Sequence, residues 1–383
     1  TCHHCLVRFK KLDTTYCVKF TYFRESLRQY IYMLKKDKVI LHIGLHKTGT
    51  TTIQQFMSDS RNILSDVDYV CHLRNGDYRE DGNSYFLLQQ DNWYDEHRSY
   101  KIDIALLISN IKNSKKKKVM LSTEALSWCS DKEILRTLKC ELFKVTHNLL
   151  ILVYIRSPIS LAVSNFSEGL KYPNSVSILT DYNYPCLSVE NLKREISYEH
   201  YTFKNILAWQ EVFTESLLVR EFSTNNFYKK NLLADVLNIL DLNKDPKLLQ
   251  NALSYRRKNE SLNMLQIYYL ISVHRLSNRL PGTHKVKSLL FELIKHKLHW
   301  LKSDKIFHFD KGNAELFTAK IKDDVLIANG KLGIDDINLG YKVIEKSPLS
   351  IQDYFKLSGI FLVHLFLLGI YITNRVYKKL RIR

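Results

Sequence analysis

Three segments of the sequence predict an α/β fold with a central, mainly parallel sheet. Residues 39 to 56, VILHIGLHKTGTTTIQQF, pass from an apolar run through a glycine-bounded turn into the start of a helix without a gap. Leu149 to Ile155, LLILVYI, is a continuous apolar run, and Val119 to Ser122 is a shorter one between the two. Strands that read as unbroken apolar runs are covered on both faces, which makes the expected architecture three-layered.

The first strand is expected over Val39 to Ile43. Gly44 then permits a sharp turn where a side chain would obstruct a ligand, and Gly49 repeats that permission one loop later. From Thr50 the pattern is helical, so amides near Gly49, Thr50 and Thr51 point outward unpaired, with the positive end of the helix dipole behind them. A phosphate or sulfate fits such a place. The spacing Gly44-x4-Gly49 followed by Thr50-Thr51 makes the turn P-loop-like, yet a nucleotide P-loop carries its lysine where this chain has Thr50. Here the lysine is Lys47.

The second long strand ends in Arg156-Ser157-Pro158. Ser157 is a good helix N-cap and Pro158 a good first helical residue, which predicts a helix from there to about Leu170. Arg156 therefore falls at the carboxyl edge of the sheet, in the crevice where open α/β sheets bind ligands. A magnesium-dependent phosphotransferase would place a carboxylate at such a strand end.

Lys47, Gly49, Thr50 and Thr51, together with Arg156 and the Ser164 that follows it by eight positions, resemble the sulfotransferases that use 3′-phosphoadenosine-5′-phosphosulfate (PAPS). The His-x-Gly-x-His-Lys-Thr-Gly-Thr-Thr opening is similar to that of bacterial-type carbohydrate members. The likeness extends to Ser122-Thr123-Glu124, to Trp209, and to a late strand over Leu217 to Glu221, and covers about residues 38 to 260. It implies a P-loop-like fold in which Lys47, Thr48, Gly49, Thr50, Thr51 and Thr52 surround the 5′-phosphosulfate, while Arg156 and Ser164 hold the 3′-phosphate. Two departures stand beside the match. Thr52 occupies a position where small-molecule members commonly carry an aromatic residue against adenine, and no Gly-rich late segment is present, although Arg256, Arg257 and Lys258 offer late cations.

Sulfuryl transfer needs in-line positioning and a cation to follow charge onto the leaving oxygen, which assigns that task to Lys47 and requires no metal. The acceptor hydroxyl needs a base. Glu124 ends the Val119 to Ser122 segment and so reaches the same carboxyl edge; a helix cap or an ion-pair partner is its alternative role, and His46 and His72 are the next candidate bases. The expected reaction is transfer from PAPS to a hydroxyl, on a carbohydrate in the first instance. The rival readings are an ATP- or GTP-dependent phosphotransferase and a non-catalytic, membrane-attached anion-binding protein.

The net charge of +18 over 383 residues suits polyanionic ligands, and no nucleic-acid motif accompanies it, so nucleic acid is not an expected partner. Lys115 to Lys118 read as a solvated loop before a strand. Cys2, Cys5, Cys17, Cys71, Cys129, Cys140 and Cys186 form no regular framework, which predicts free thiols in a reducing compartment. The Cys2-His3-His4-Cys5 cluster has zinc-ligand chemistry but no second pair at finger spacing. Residues 1–37, starting at Thr1, are expected to be an N-terminal extension, fragmentary or processed, without the apolar core of a signal peptide.

The catalytic core is expected over 38–260, a helical C-terminal part over 261–350, and a hydrophobic segment with a basic tail over 351–383. Within the last, residues 357–374 carry no Lys, Arg, Asp or Glu, a stretch at the short end for spanning a bilayer and interrupted by His364. The expected location is the cytoplasm, with membrane contact through 357–374 as the open alternative.

Overall fold

The computed structural model describes residues 35–71, 82–84, 88–89, 101–171, 195–255, 262–279, 301, 303, 307, 311–334, 357 and 359. Five strands form one parallel sheet in the order β2-β5-β1-β6-β7. They are β1 (Lys38–His42), β2 (Val67–Tyr69), β5 (Lys118–Ser122), β6 (Leu149–Ile155) and β7 (Leu217–Glu221). Two short strands, β3 (Leu88–Gln89) and β4 (Lys101–Ile102), pair antiparallel outside it.

The sheet separates two cores because successive side chains of a strand point to opposite faces. Val39 and Leu41 of β1, Val119 and Leu121 of β5, and Ile151, Val153 and Ile155 of β6 enter one core. Ile40, Met120, Leu152 and Tyr154, the residues between them, enter the other. The first core is closed by α2 (Ile104–Asn113), α3 (Lys132–Val145), α4 (Pro158–Gly169) and α6 (Lys204–Phe213). The second is closed by α1 (Thr50–Asp59), α7 (Leu232–Ile239) and α8 (Pro246–Ser254). The three central strands β1, β5 and β6 are thus apolar on both faces, as their unbroken apolar runs require. A further helix, α5 (Glu195–Thr202), precedes α6. In the C-terminal part, α9 (Met264–Arg279) and α10 (Lys311–Leu332) pack into the first core through Leu265, Leu270, Phe317, Ile321 and Val325.

The helices begin where short polar side chains accept first-turn amides. Asp103 caps α2, Asp131 caps α3, Asn231 caps α7, and Asp245 with Pro246 opens α8. Ser157 accepts from the amide of Ser160 and Pro158 follows at the first helical position of α4, as its sequence predicts. α1 differs: its N-cap is Gly49, which has no side chain to offer.

A buried aspartate ties the outer half of the sheet to α7. Asp235, 1% exposed, accepts from Tyr154 Oη at 2.8 Å, Arg220 Nη2 at 2.6 Å and the Tyr228 amide at 2.9 Å. Strands β6 and β7 and the turn before α7 thereby share one carboxylate.

Among the described residues no helix is long and apolar enough to cross a membrane. The segment 357–374 lies outside them except for residues 357 and 359, as do Cys2, Cys5, Cys17, Cys186, His72 and the Arg256–Lys258 cluster. Cys71, Cys129 and Cys140 are free thiols.

Candidate active site

β1 is flanked by β5 on one side and β6 on the other, so the chain reverses its strand order there. In an open parallel sheet the crevice beyond the carboxyl ends at such a point is where ligands bind. A cleft of about 380 Å³ opens there. It is lined by Lys47, Gly49, Thr50, Thr51 and Thr52 from the loop after β1, Glu124 from beyond β5, and Arg156 and Ser164 from beyond β6. Residues from segments up to about a hundred positions apart in the sequence share one surface.

The loop has the backbone its glycines allow. Gly44 and Gly49 have φ of 40° and 76°. A Cβ on Gly49 would stand 2.4 Å from Leu232 Cδ2, and one on Gly44 would stand 2.5 Å from Thr50 Cγ2. Lys47 is also left-handed, at φ 66°, a conformation that costs a non-glycine residue on the order of 1 kcal/mol and persists only when neighbours enforce it. Arg156 does so: its Nη1 donates to the Lys47 carbonyl at 3.1 Å. Glu168 Oε2 separately holds the Lys47 ammonium at 3.1 Å.

Thr48 is fully buried, and its hydroxyl donates to the Leu45 carbonyl at 2.6 Å. That side chain shapes the loop and does not line the cleft. Thr50, Thr51 and Thr52 follow at the start of α1, whose first-turn amides have no intrahelical acceptor.

Glu124 opens a short 3-10 turn, Glu124–Trp128. Its Oε2 accepts from Gln54 Nε2 at 2.8 Å and from Asn83 Nδ2 at 3.3 Å. Both donors are neutral amides, so the carboxylate is oriented without being neutralised by a salt bridge in these contacts.

Burial sets the electrostatics of the cleft. It pushes the Lys47 ammonium below its usual range, opposed chiefly by Glu168, and lowers Arg156 as well. Burial alone would raise Glu168, but Lys47 and Lys171 beside it bring its carboxyl below the ordinary value. His42, fully buried behind the loop, is pushed down to about 4 by burial against an upward pull from Glu124; its Nδ1 is 2.8 Å from Ser122 Oγ. His46, at the cleft, is likewise lowered by burial, with Glu124 again pulling upward. Its ring lies 5.3 Å from Trp128 and 6.4 Å from buried His200. Both histidines are therefore held neutral near pH 7.

The cleft also holds residues that the sequence did not single out, among them Ser167, Glu168, Lys171 and Phe222. Once Pro158 fixes the start of α4, positions 164, 167, 168 and 171 share one helical face, and Phe222 is the residue that follows β7 at the same edge. The spacing contained the signal; the partner of Lys47 did not follow from it. Arg156 lies over the Phe222 ring at 5.7 Å. Trp209 is fully buried, with its Nε1 donating to the Cys129 carbonyl at 3.0 Å, and serves the core.

Among the described residues no group of three His, Cys, Asp or Glu side chains gathers to hold a metal ion. No protein-family profile and no curated protein matches the sequence. Among solved structures, the chain is similar to a sulfotransferase from Alicyclobacillus acidocaldarius, at a TM-score of 0.36 and 11% identity over 78% of this chain and 96% of that one. At that TM-score and identity the likeness decides neither fold nor activity.

Proposed function

We propose that the protein transfers a sulfuryl group from PAPS to a hydroxyl acceptor, carbohydrate being the first class to test. One observation carries the reading: an uncapped helix start with its loop lysine, and an arginine–serine pair on the next strand and helix, line the same cleft. A donor with anionic groups at both ends matches that arrangement.

In this reading the Gly49–Thr52 amides and hydroxyls hold the 5′ end, and Arg156 with Ser164 holds the 3′-phosphate. The acceptor oxygen forms the new bond to sulfur in line with the breaking bond to the bridging oxygen. The hydroxyl proton passes to Glu124, and the charge left on the bridging oxygen is met by Lys47. Phe222 and Phe307 bring aromatic surface into the cleft, where Thr52 supplies none.

A phosphotransferase is the second reading, and Glu124 is what favours it. It stands just past the strand beside β1, where such enzymes place a magnesium-holding carboxylate. Against it stand Thr50 in the place of the P-loop lysine and the commitment of Glu124 to two amide donors.

Thermal unfolding separates the two. Adenosine 3′,5′-bisphosphate without metal is expected to stabilise the protein, by about 2.7 kcal/mol at a hundredfold excess over Kd. Equal or larger stabilisation by Mg-ATP that is lost with a chelator would assign the site to phosphoryl transfer.

A further inference from the structure

Lys47 and Lys171 both reach the same oxygen of Glu168, Oε2, at 3.1 and 2.9 Å. All three side chains line the cleft, and Glu168 stands one helical turn after Ser164 on α4. Lys47 is only 25% exposed at its side chain, and its carbonyl is fixed by Arg156. The residue is therefore held at its carbonyl by Arg156 and at its ammonium by Glu168, both from the β6–α4 segment.

We propose that Glu168 is a positioning residue that stands in for the incoming anion: it holds Lys47 through its carboxylate and, when an oxyanion enters, yields Lys47 to the anion while keeping Lys171. This rests on the part of the proposed function that reads the cleft as an oxyanion site. Two anions on one half-buried ammonium repel each other, so entry of a sulfate or phosphate at the loop favours exchange. Lys171 makes the exchange feasible. When Lys47 turns away, Glu168 keeps a partner at 2.9 Å, so no carboxylate is left buried and alone, the condition that makes breaking a buried pair costly. The charged groups that act on the Lys47 ammonium are Glu168, Lys171 and Glu124; of these only Glu168 is both opposite in sign and within ion-pair distance among the described residues.

A passive strut predicts otherwise. If the pair only braced the loop against α4, removing the carboxylate would loosen Lys47 and weaken anion binding. Under the exchange, removing it relieves a competitor, and affinity rises.

The test is calorimetric titration of Glu168→Gln with inorganic sulfate and with adenosine 3′,5′-bisphosphate, alongside NMR titration of the Lys47 side chain. Sulfate is expected to bind Glu168→Gln roughly 3- to 10-fold more tightly than wild type, and the Lys47 amine to titrate at lower pH. The gain is expected to vanish in a Lys47→Met background. Weaker or unchanged sulfate binding overturns the proposal, as does a gain that persists without Lys47, since the effect would then be general charge and not exchange. Should Glu168→Gln fail to fold, Glu168→Asp, one methylene short of Lys47, is expected to shift sulfate affinity in the same direction. If sulfate behaves as expected but no form binds the bisphosphate, the donor reading falls and the exchange stands.

Discussion

Arg156 performs two tasks with one guanidinium. It faces the cleft as a cation, and it donates to the carbonyl of left-handed Lys47. Removing it would therefore loosen the loop as well as delete the contact proposed for the donor, so Arg156→Ala alone cannot separate the two. Arg156→Lys keeps the charge but loses the planar fork; it is expected to weaken adenosine bisphosphate binding by roughly tenfold, measured by calorimetry, with folding retained. Glu124 allows a cleaner division. Glu124→Gln preserves an oxygen to accept from Gln54 and Asn83, so melting temperature and donor affinity are expected to hold while single-turnover transfer falls by roughly 10² to 10⁴. Near-normal transfer would remove Glu124 from the chemistry and make His46, at the same cleft, the next base to test.

At the scale of elements, Asp235 is the joint that fixes α7 against β6 and β7. Asp235→Ala leaves Tyr154 without its acceptor and takes the carboxylate from a two-thirds-buried Arg220, which keeps only the Asn226 carbonyl at 3.0 Å; after allowance for the part of Arg220 in water, a loss of about 2–3 kcal/mol is expected in denaturant unfolding. Because Leu232 at the start of α7 lies against Gly49, the same variant is expected to loosen the Gly44–Gly49 loop, read as weaker sulfate binding if that loop holds the anion as proposed. Strands β1, β5 and β6, the helix starts at Thr50 and Pro158, and the carboxyl-edge placement of Arg156 and Glu124 were legible because each rests on local chemistry: continuous apolar runs, glycine punctuation and a Ser-Pro cap; the short strands β2, β3 and β4 carry no such run and were not. The Glu168–Lys47 pair, the turning of Thr48 toward Leu45 and the Asp235 joint were not. The ion pair and the joint depend on which helices cross which strands, and no local spacing encodes that; the Thr48 hydroxyl is taken by a carbonyl only three residues back in the same loop.

For the molecule as a whole, buried neutral histidines set the response to acid. His42 and His200 are pushed down to about 4 and about 3, in each case chiefly by burial. Between those values and the unfolded value near 6.5 the unfolded chain binds more protons than the folded one, so stability rises with pH across that window. Stability is thus expected to be full above about pH 6.5 and to fall as pH drops toward 4. His200→Phe, which removes one such group from beneath Trp128, is expected to flatten the fall in a pH series of unfolding curves; an unchanged slope would exclude His200 as a source. The alternation of β1 between the two cores has its own consequence for how this chain tolerates change. Inserting or deleting one residue within 38–42 would exchange Val39 and Leu41 with Ile40 across the sheet and displace the loop that begins at the strand's end. Length variation in this protein is therefore expected to be confined to connections away from that strand, whatever activity selects, and a library of single-residue insertions scored for soluble expression would show 38–49 as its emptiest window.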